Sequence, residues 1–300
     1  NLPDVAVIPS EHFNTILYTG TGSGVAVRDV GFQPDLIWGK KRNAAQQHWL
    51  IDAVRGAGVQ LSSNNSEAEG TEANGTAFVS NGFDTSSNDL FTTNGHNYVA
   101  WNWKANGSGS SNTNGSINST VSANVDAGFS IVSYTGNATS GATVGHGLSK
   151  APELILLKNR DNVSDFLAYS KGAGPTKFLR LSSHVVADTS SAVWNNTAPD
   201  ATKFTLGNNS DPNANGDDYI AYAFHSVDGY SAVGVYEGND DADGTFIYLG
   251  FRPAFVMVKN IDEGYNWIIA DSTRETHNSM DFEIYPNISN VEHDTSGQRW

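Results

Sequence analysis

Two stretches decide the fold: Tyr98-Val99-Ala100-Trp101-Asn102-Trp103-Lys104 and Tyr219-Ile220-Ala221-Tyr222-Ala223-Phe224-His225. In the first, Val99, Trp101 and Trp103 take alternate positions; in the second, Ile220, Tyr222 and Phe224 do the same. A period of two is that of a β-strand, whose side chains point alternately to opposite faces. Ala100, Asn102 and Lys104 fall on the other face. Each stretch therefore predicts a strand of an antiparallel sheet with one buried and one wet face.

The likeness of the two stretches extends outward into a repeat. Three segments open alike: Phe13-Asn-Thr-Ile-Leu-Tyr18-Thr-Gly20, Phe129-Ser-Ile-Val-Ser-Tyr134-Thr-Gly136 and Tyr230-Ser-Ala-Val-Gly-Val-Tyr236-Glu-Gly238. Each tyrosine is followed 16 to 18 residues later by a proline that leads an apolar strand: Pro34-Asp-Leu-Ile-Trp38, Pro152-Glu-Leu-Ile-Leu and Pro253-Ala-Phe-Val-Met. A lysine (Lys40, Lys158, Lys259) stands six residues past each proline, and an aromatic-led strand begins 14 or 15 residues past it, at Trp49, Phe166 and Trp267. The closing strand is present only twice. In the third copy it is due near residue 320, so that copy is incomplete or is finished by sequence outside these residues.

The expected fold class is all-β: tandem antiparallel β-sandwich (jelly-roll-like) repeats, two complete and a third incomplete. Residues 1–12 form a lead-in, 13–105 the first repeat, 128–229 the second and 230–300 the third. Residues 106–127, rich in Gly, Ser and Asn, read as a flexible linker. Prolines at strand starts and the lack of a sustained 3.6-residue period argue against helices; residues 273–281 have room for one short turn.

Composition agrees. Of 300 residues only 38% are hydrophobic and 16% charged, and Gly, Asn, Ser and Thr fill the difference. Those are turn residues. A net charge of −15 excludes a general affinity for nucleic acid, whose phosphates it would repel. With no cysteine, neither disulfides nor thiolate chemistry contributes. No apolar run approaches the 18 or so residues of a membrane span, so membrane insertion is not expected. The chain begins without Met or a leader pattern and reads as a piece of something longer.

The motifs Gly31-Phe32-Gln-Pro34-Asp-Leu-Ile-Trp38, Asp52-Ala-Val-Arg55-Gly56 and Tyr98-Val-Ala-Trp-Asn-Trp-Lys-Ala105 resemble a β-rich repeat family of tailed-phage virion proteins, many from marine hosts. So do Val144-Gly-His146-Gly-Leu148 and Trp194-Asn-Asn-Thr-Ala-Pro199 in the second copy, and Gly250-Phe251-Arg-Pro253 and Asp271-Ser-Thr-Arg274 in the third. The resemblance runs over about residues 10–300. It implies a tail or tail-fibre-type structural protein on the virion surface, assembled in the host cytoplasm. Its expected partners are copies of itself in a homo-oligomer (a trimer by class), other virion proteins, and a host surface glycan or protein. A non-adhesive decoration or connector is the alternative reading, and a secreted carbohydrate-binding or hydrolytic protein a third. The family carries no catalytic residues to this chain, and none is expected from motifs: no G-x-S-x-G elbow follows a strand.

Three constellations remain. Trp194, Asn195 and Asn196 lie in a polar loop without a counterpart in the first copy; an indole beside amides is either a platform for a sugar ring or a plug in the sandwich. Asp211, Asn213, Asn215 and Asp217 alternate like the first half of a calcium loop, but Tyr222 stands where the closing Glu should be. Asp240, Asp241 and Asp243 crowd three carboxylates into one turn, which favours a cation or a solvated surface. Ca²⁺ is therefore the one cofactor the sequence leaves open. The recurring Lys40, Lys158 and Lys259 and the recurring pairs Asp52–Arg55 and Asp271–Arg274 read as architecture. An Asp–Arg bridge of this kind, if exposed, contributes only about 0–1 kcal/mol.

Overall fold

In the computed structural model, residues 7–241, 243–277 and 280–296 are described. The protein is all-β, with three four-residue α-helices among these residues. Unit 1 is built on a four-stranded antiparallel sheet. An opening strand (Phe13–Thr19) pairs with the closing strand (Asn97–Trp103), which pairs with the proline strand (Leu36–Lys41), which pairs with a hairpin strand (Trp49–Asp52). Unit 2 repeats the order with Phe129–Thr135, Asp218–Phe224, Leu154–Asn159 and Leu167–Ser170. Unit 3 shows the proline strand Phe255–Val258 and hairpin strand Ile268–Asp271 as a two-stranded sheet.

The registers coincide. Trp38 lies opposite Trp101 and Leu50, and Leu156 opposite Tyr222 and Ala168. Leu36, Leu154 and Phe255 lie opposite Asp52, Ser170 and Asp271. Tyr18 stacks on Tyr98 at 4.9 Å and Tyr134 on Tyr219 at 5.0 Å. Each ring hydroxyl donates to a carbonyl of the short helix that precedes the closing strand: Tyr18 to Phe91, Tyr98 to Asp89, Tyr134 to Pro212 and Tyr219 to Ser210. A buried phenol needs such a partner. Tyr236, the third member of the series, is 52% exposed.

This alignment moves Trp49. It pairs with Gly39 and so corresponds to Leu167, which pairs with Leu157. The true counterparts of Phe166 and Trp267 are therefore one residue earlier, at His48. A one-residue slip changes the face, and Trp49 indeed packs in a different core from Phe166 and Trp267. Gly39 accommodates it: a Cβ there would fall inside the Trp49 indole. A Trp–Gly pair fills the space of the Leu–Leu pair across the same two strands.

The wet face expected of the closing strands is not wet. Ala100 and Asn102 are fully buried, and the Asn102 amide donates to the carbonyls of Asn14 and Ala100. Each main sheet is covered twice. Its outer face packs within its own unit: Trp49, Phe83, Phe91 and Ala100 in unit 1, and Val132, Tyr134, Trp194 and Tyr219 in unit 2. The inner faces of all three units meet in one core containing Trp38, Trp101, Trp103, Phe129, Leu156, Tyr222, Trp267 and Ile269. The sandwiches are thus not beads on a string. The segment 106–127 is no flexible linker either. Ser110–Asn112 and Ser119–Asn124 are strands that extend the unit 2 sheet beside Phe129–Thr135, anchored by buried Ile117 and Val121. A free sheet edge and two apolar anchors outweigh the composition of the segment.

The units close into a ring. Glu69 N donates to Arg160 O, Ala187 N to Ile261 O and Glu292 N to Arg42 O, joining unit 1 to 2, 2 to 3 and 3 to 1. At the 1–2 junction Arg55 is bound by Asp52 (2.5 Å) and Glu69 (3.0 Å), and Glu69 also receives Arg160 (3.0 Å). The Tyr222 hydroxyl of unit 2 donates to Asp52. At the 3–1 junction Arg274 is bound by Asp271 (2.5 Å) and Glu292 (2.8 Å), and Glu292 receives Arg42 (2.9 Å). Trp101 Nε1 of unit 1 donates to Asp271. The Asp52, Arg55, Asp271 and Arg274 side chains are all 0% exposed, so the local Asp–Arg bridges are at the same time the centres of buried inter-unit clusters. Burial alone would lower the Arg55 pKa, but Asp52, Tyr222 and Glu69 outweigh it and hold it above its ordinary value. The 2–3 junction has Ser170, Ala173, Ala187 and Ile261 at the matching positions.

Among the described residues none of the recurrent lysines forms an ion pair; each donates to backbone carbonyls instead. Lys40 donates to Lys41 O, Lys158 to Ser66 O and Ser164 O, and Lys259 to His184 O and Asn260 O. Burial lowers Lys40 and Lys158 to about 8.

Two outcomes follow. Arg55→Ala strands Asp52 in the core and is expected to cost about 3–5 kcal/mol in urea unfolding. Installing the full apolar set of the 2–3 junction, Asp52→Ser, Arg55→Ala, Glu69→Ala and Arg160→Ile, is expected to cost less than Arg55→Ala alone. Second, a lysine whose folded pKa is lowered binds its proton more weakly folded than unfolded. The unfolded chain then holds more protons between about 8 and the ordinary value near 10.5, so stability rises with pH in that window. The buried hydroxyls of Tyr18, Tyr134 and Tyr222, pushed up by burial, act in the opposite sense above about pH 10. The urea midpoint should climb from pH 7.5 to 9.5, and less steeply in Lys158→Met.

Candidate functional site

A cleft of about 500 Å³ opens on the outer side of unit 1, lined by Gln46, Gln47, Gln60, Ser62, Glu67 and Glu72 among others. Its floor is the antiparallel bridge between Gln60 and Gly70, closed by both backbone hydrogen bonds. The Gln60 amide is fixed at both ends: Nε2 donates to Glu72, and Oε1 accepts from Ala73 N at 3.1 Å. Gly70 makes room for this, since a Cβ would strike the Glu72 carboxylate and the Gln60 amide. Ser62 Oγ donates to Gln47 Oε1 at 3.2 Å, and Asn65 Nδ2 to Glu67 Oε2 at 3.0 Å. Asn88 caps the helix Asp89–Thr92 at the rim, accepting from Leu90 N. Among the described residues no Lys or Arg lines the cleft. Side-chain amides and carboxylates offering several donors and acceptors at once suit polyhydroxylated ligands and are ill suited to anions.

Sequence reading did not single out these residues, because Gln, Ser and Glu between strands are ordinary. The signal lay in the repeat. Gln60 stands eight residues past Asp52, as Phe178 stands eight past Ser170, and Phe178 is a buried core residue. The bridge Gln60–Gly70 matches the pairing of Phe178 with Asp188. A nearly buried amide replaces a core aromatic.

The residues picked from sequence lie elsewhere. Trp194 is 1% exposed, packed edge-on against Tyr169 at 5.8 Å in the outer core of unit 2. It is the plug, and no ring face is free for a sugar. Asn195 and Asn196 follow the helix Ser191–Trp194 with φ of 51° and 50°, a left-handed helix stop that Asn tolerates. Asn195 Oδ1 accepts from Ser140.

The calcium-like residues are dispersed among structural duties. Asn213 is buried, donates to Thr139 O and Gly207 O, and accepts from Asn137 N. Asp217 accepts from the amides of Asn159 and Asn162 at 2.7 Å each. Asp211, half-buried in the helix Ser210–Asn213, has its pKa raised by burial and by Asp165. Asn215 sits in the exposed turn before the closing strand. Asp240, Asp241 and Asp243 are exposed, with Asp243 N donating to Asp241. Among the described residues no three His, Asp or Glu side chains converge as a metal site would require. His146 is a buried turn residue: Nδ1 accepts from Leu148 N and Nε2 donates to Asp200 O. No helix among the described residues is long and apolar enough to cross a membrane.

Residues 8–300 match, as one unit, the family model described as a domain of unknown function, DUF7483. The chain belongs to the DUF7483 family. No curated protein and no solved structure matches. That one family model spans all three units agrees with their common core.

If Trp194 is a plug of the DUF7483 core, Trp194→Ala should destabilise the protein by about 3–5 kcal/mol. A sugar platform would instead leave thermal stability within about 0.5 kcal/mol of the parent.

Proposed function

We propose that this DUF7483 chain is a virion-surface protein of the tail-fibre, receptor-binding type, and that the unit 1 cleft contacts a host surface glycan. The observation that carries the reading is Gln60: the repeat offers a core phenylalanine at this position, and the chain has opened a hydrogen-bonding cleft there instead. Side-chain amides can both donate to and accept from a sugar hydroxyl, and carboxylates accept from one. The net charge of −15 and the absence of basic lining residues point to a neutral or amino-bearing glycan over an acidic one. One such site is expected to bind weakly. Assembly into a homo-oligomer on the virion would raise its effective concentration and make weak contacts sufficient. The Gln60 amide, already fixed by Glu72 and Ala73, suits that task, because a preorganised site loses little entropy on binding.

The test is a screen of immobilised neutral and acidic oligosaccharides from bacterial surfaces with the purified protein and Gln60→Phe, which restores the residue of the sister unit. The expected result is retention on a neutral glycan that falls at least tenfold in Gln60→Phe while the melting temperature holds. Equal retention by the two proteins would remove the cleft from the proposal. No retention by either, together with incorporation into particles seen by electron microscopy, would favour a non-adhesive connector.

A further inference from the structure

The unit 1 cleft lies where the other two units are filled by their own side chains. Backbone pairings fix the correspondence: Leu50 with Leu61 and Gln60 with Gly70 in unit 1 match Ala168 with Leu179 and Phe178 with Asp188 in unit 2. Ser62 therefore stands in the place of Arg180, Gln47 in that of Asp165 and Gly70 in that of Asp188. In unit 2 the Arg180 guanidinium lies over the Phe178 ring at 4.7 Å and is bound by Asp165 at 2.7 Å and Asp188 at 2.9 Å. In unit 1 all four residues are exchanged, for Gln60, Ser62, Gln47 and Gly70, and all four line the cleft. Where unit 2 has the Arg180–Asp165 pair, unit 1 has a neutral hydrogen bond from Ser62 Oγ to Gln47 Oε1 at 3.2 Å. Unit 3 closes the same place with Tyr285, whose hydroxyl donates to Glu283 at 2.9 Å and lies 3.0 Å from His293 Nδ1.

The exchange removes the cation and leaves acids. Glu67, three residues before Gly70, and Glu72, two after it, take the places of Val185 and Ser190. Both line the cleft and both are exposed. Each carboxylate has one oxygen engaged by a neighbouring amide, Asn65 Nδ2 on Glu67 and Gln60 Nε2 on Glu72. The second oxygen of each has no partner among the described residues. Asp165 and Asp188 at the sister place meet Arg180, and Glu69, between the two glutamates in sequence, meets Arg55 and Arg160. Two carboxylates without a cation, gathered with side-chain amides in one concavity, are complementary to a positive group that also carries hydroxyls.

We propose that the unit 1 cleft binds an amino sugar, its primary ammonium held by Glu67 and Glu72 in the part of the fold where unit 2 holds its own Arg180 guanidinium. The inference rests on the glycan reading of this cleft and narrows it: among sugars without acid groups, the cleft selects those whose amine is unacetylated. Sugar hydroxyls meet the Gln60, Gln47 and Ser62 side chains, and the ammonium meets the carboxylates. Hydrogen bonds of the second kind are about twice as strong as neutral ones. Acetylation turns the ammonium into an amide, which loses the charge and keeps one N–H of three, so the acetylated sugar forfeits the stronger contacts. Because both carboxylates are exposed, salt screens the attraction.

The probes are a β-1,4-linked trisaccharide of glucosamine and its fully N-acetylated counterpart. Each is titrated calorimetrically into the 300-residue protein at about pH 6, where the amine is protonated, in low and in high salt. The free-amine trimer is expected to bind at least tenfold tighter than the acetylated one in low salt, and the preference should shrink as salt rises. Glu67→Gln with Glu72→Gln should bring the two trimers within about twofold of each other at an unchanged melting temperature, since both side chains are exposed. Asp240→Asn with Asp241→Asn makes the same change of charge on unit 3 and should leave the preference intact. That control separates the cleft from the general attraction of a chain of net charge −15 for cations. Ser62→Arg supplies the unit 2 cation from the chain itself and should abolish binding of the free-amine trimer. Equal affinity for the two trimers overturns the inference; if Gln60→Phe still removes retention of a neutral glycan, the glycan reading stands without it. A preference untouched by the Glu67 and Glu72 exchanges, or lost equally in the unit 3 variant, also overturns it, as does binding of neither trimer.

Discussion

Burial of the inner aromatic faces in one shared core is the constraint on which the rest of this structure depends. Trp101, Trp103, Phe129, Tyr222 and Trp267 come from three units and pack in a single cluster. A small sandwich with its own outer core could fold alone if its second face were polar. Here that face presents Trp38, Trp101 and Trp103 in unit 1 and Phe129, Leu156 and Tyr222 in unit 2, so an isolated unit would expose several large rings. The units must meet, and meeting places the turn of one against the closing strand of the next. Everything polar at the junctions is a consequence of that approach, because a group brought into a dry interface must find its partner there.

The period of two and the repeat were legible because each depends on side-chain order alone. Alternation in Tyr98–Lys104 and Tyr219–His225 reports strands whatever the strands pack on, and the register confirms their equivalence. What alternation cannot report is a second cover. Ala100 and Asn102 look like a solvent face because they are small or polar, and they are small or polar because another sheet lies against them. The Asp52–Arg55 spacing was read as a local bridge, which it is. Its burial depends on Tyr222, 170 residues away, and no local spacing encodes that. Trp49 was placed one residue out of phase because an aromatic at a strand start is a weak landmark. The cross-strand pair Trp49–Gly39 is a far stronger one, and it requires the register to be known.

The same reasoning separates site from scaffold. A residue repeated in sister units, such as Lys40 and Lys158, is explained by what the units share. A residue that breaks the repeat is where a specific function can lie, but breaking it is not sufficient: Trp194 has no counterpart and is still core. Gln60 breaks the repeat and also exchanges an apolar core position for a buried amide that lines a polar cleft and donates to Glu72. Loss of a phenylalanine from the outer core is destabilising in itself. In unit 1 the glutamine at this position has both ends of its amide held, by Glu72 and by Ala73 N.

The three junctions also differ in a way that fixes the order of the units. Two are ionic and one is apolar, although the backbone contacts at all three are the same: Glu69 to Arg160, Glu292 to Arg42 and Ala187 to Ile261. Replacement of a buried ion cluster by apolar groups need not change stability, so the apolar junction is no weaker for lacking charge. Mispairing is another matter. A unit 1 turn docked on the proline strand of unit 3 would set Glu69 against Ile261, leaving the carboxylate with Arg55 alone. A unit 2 turn docked on unit 2 or unit 1 would leave Arg160 or Arg42 half-buried without an acid. Each error leaves a partly desolvated charge unpaired, which is destabilising. Identical backbone geometry makes the ring possible, and dissimilar charge makes only one cyclic arrangement of it stable.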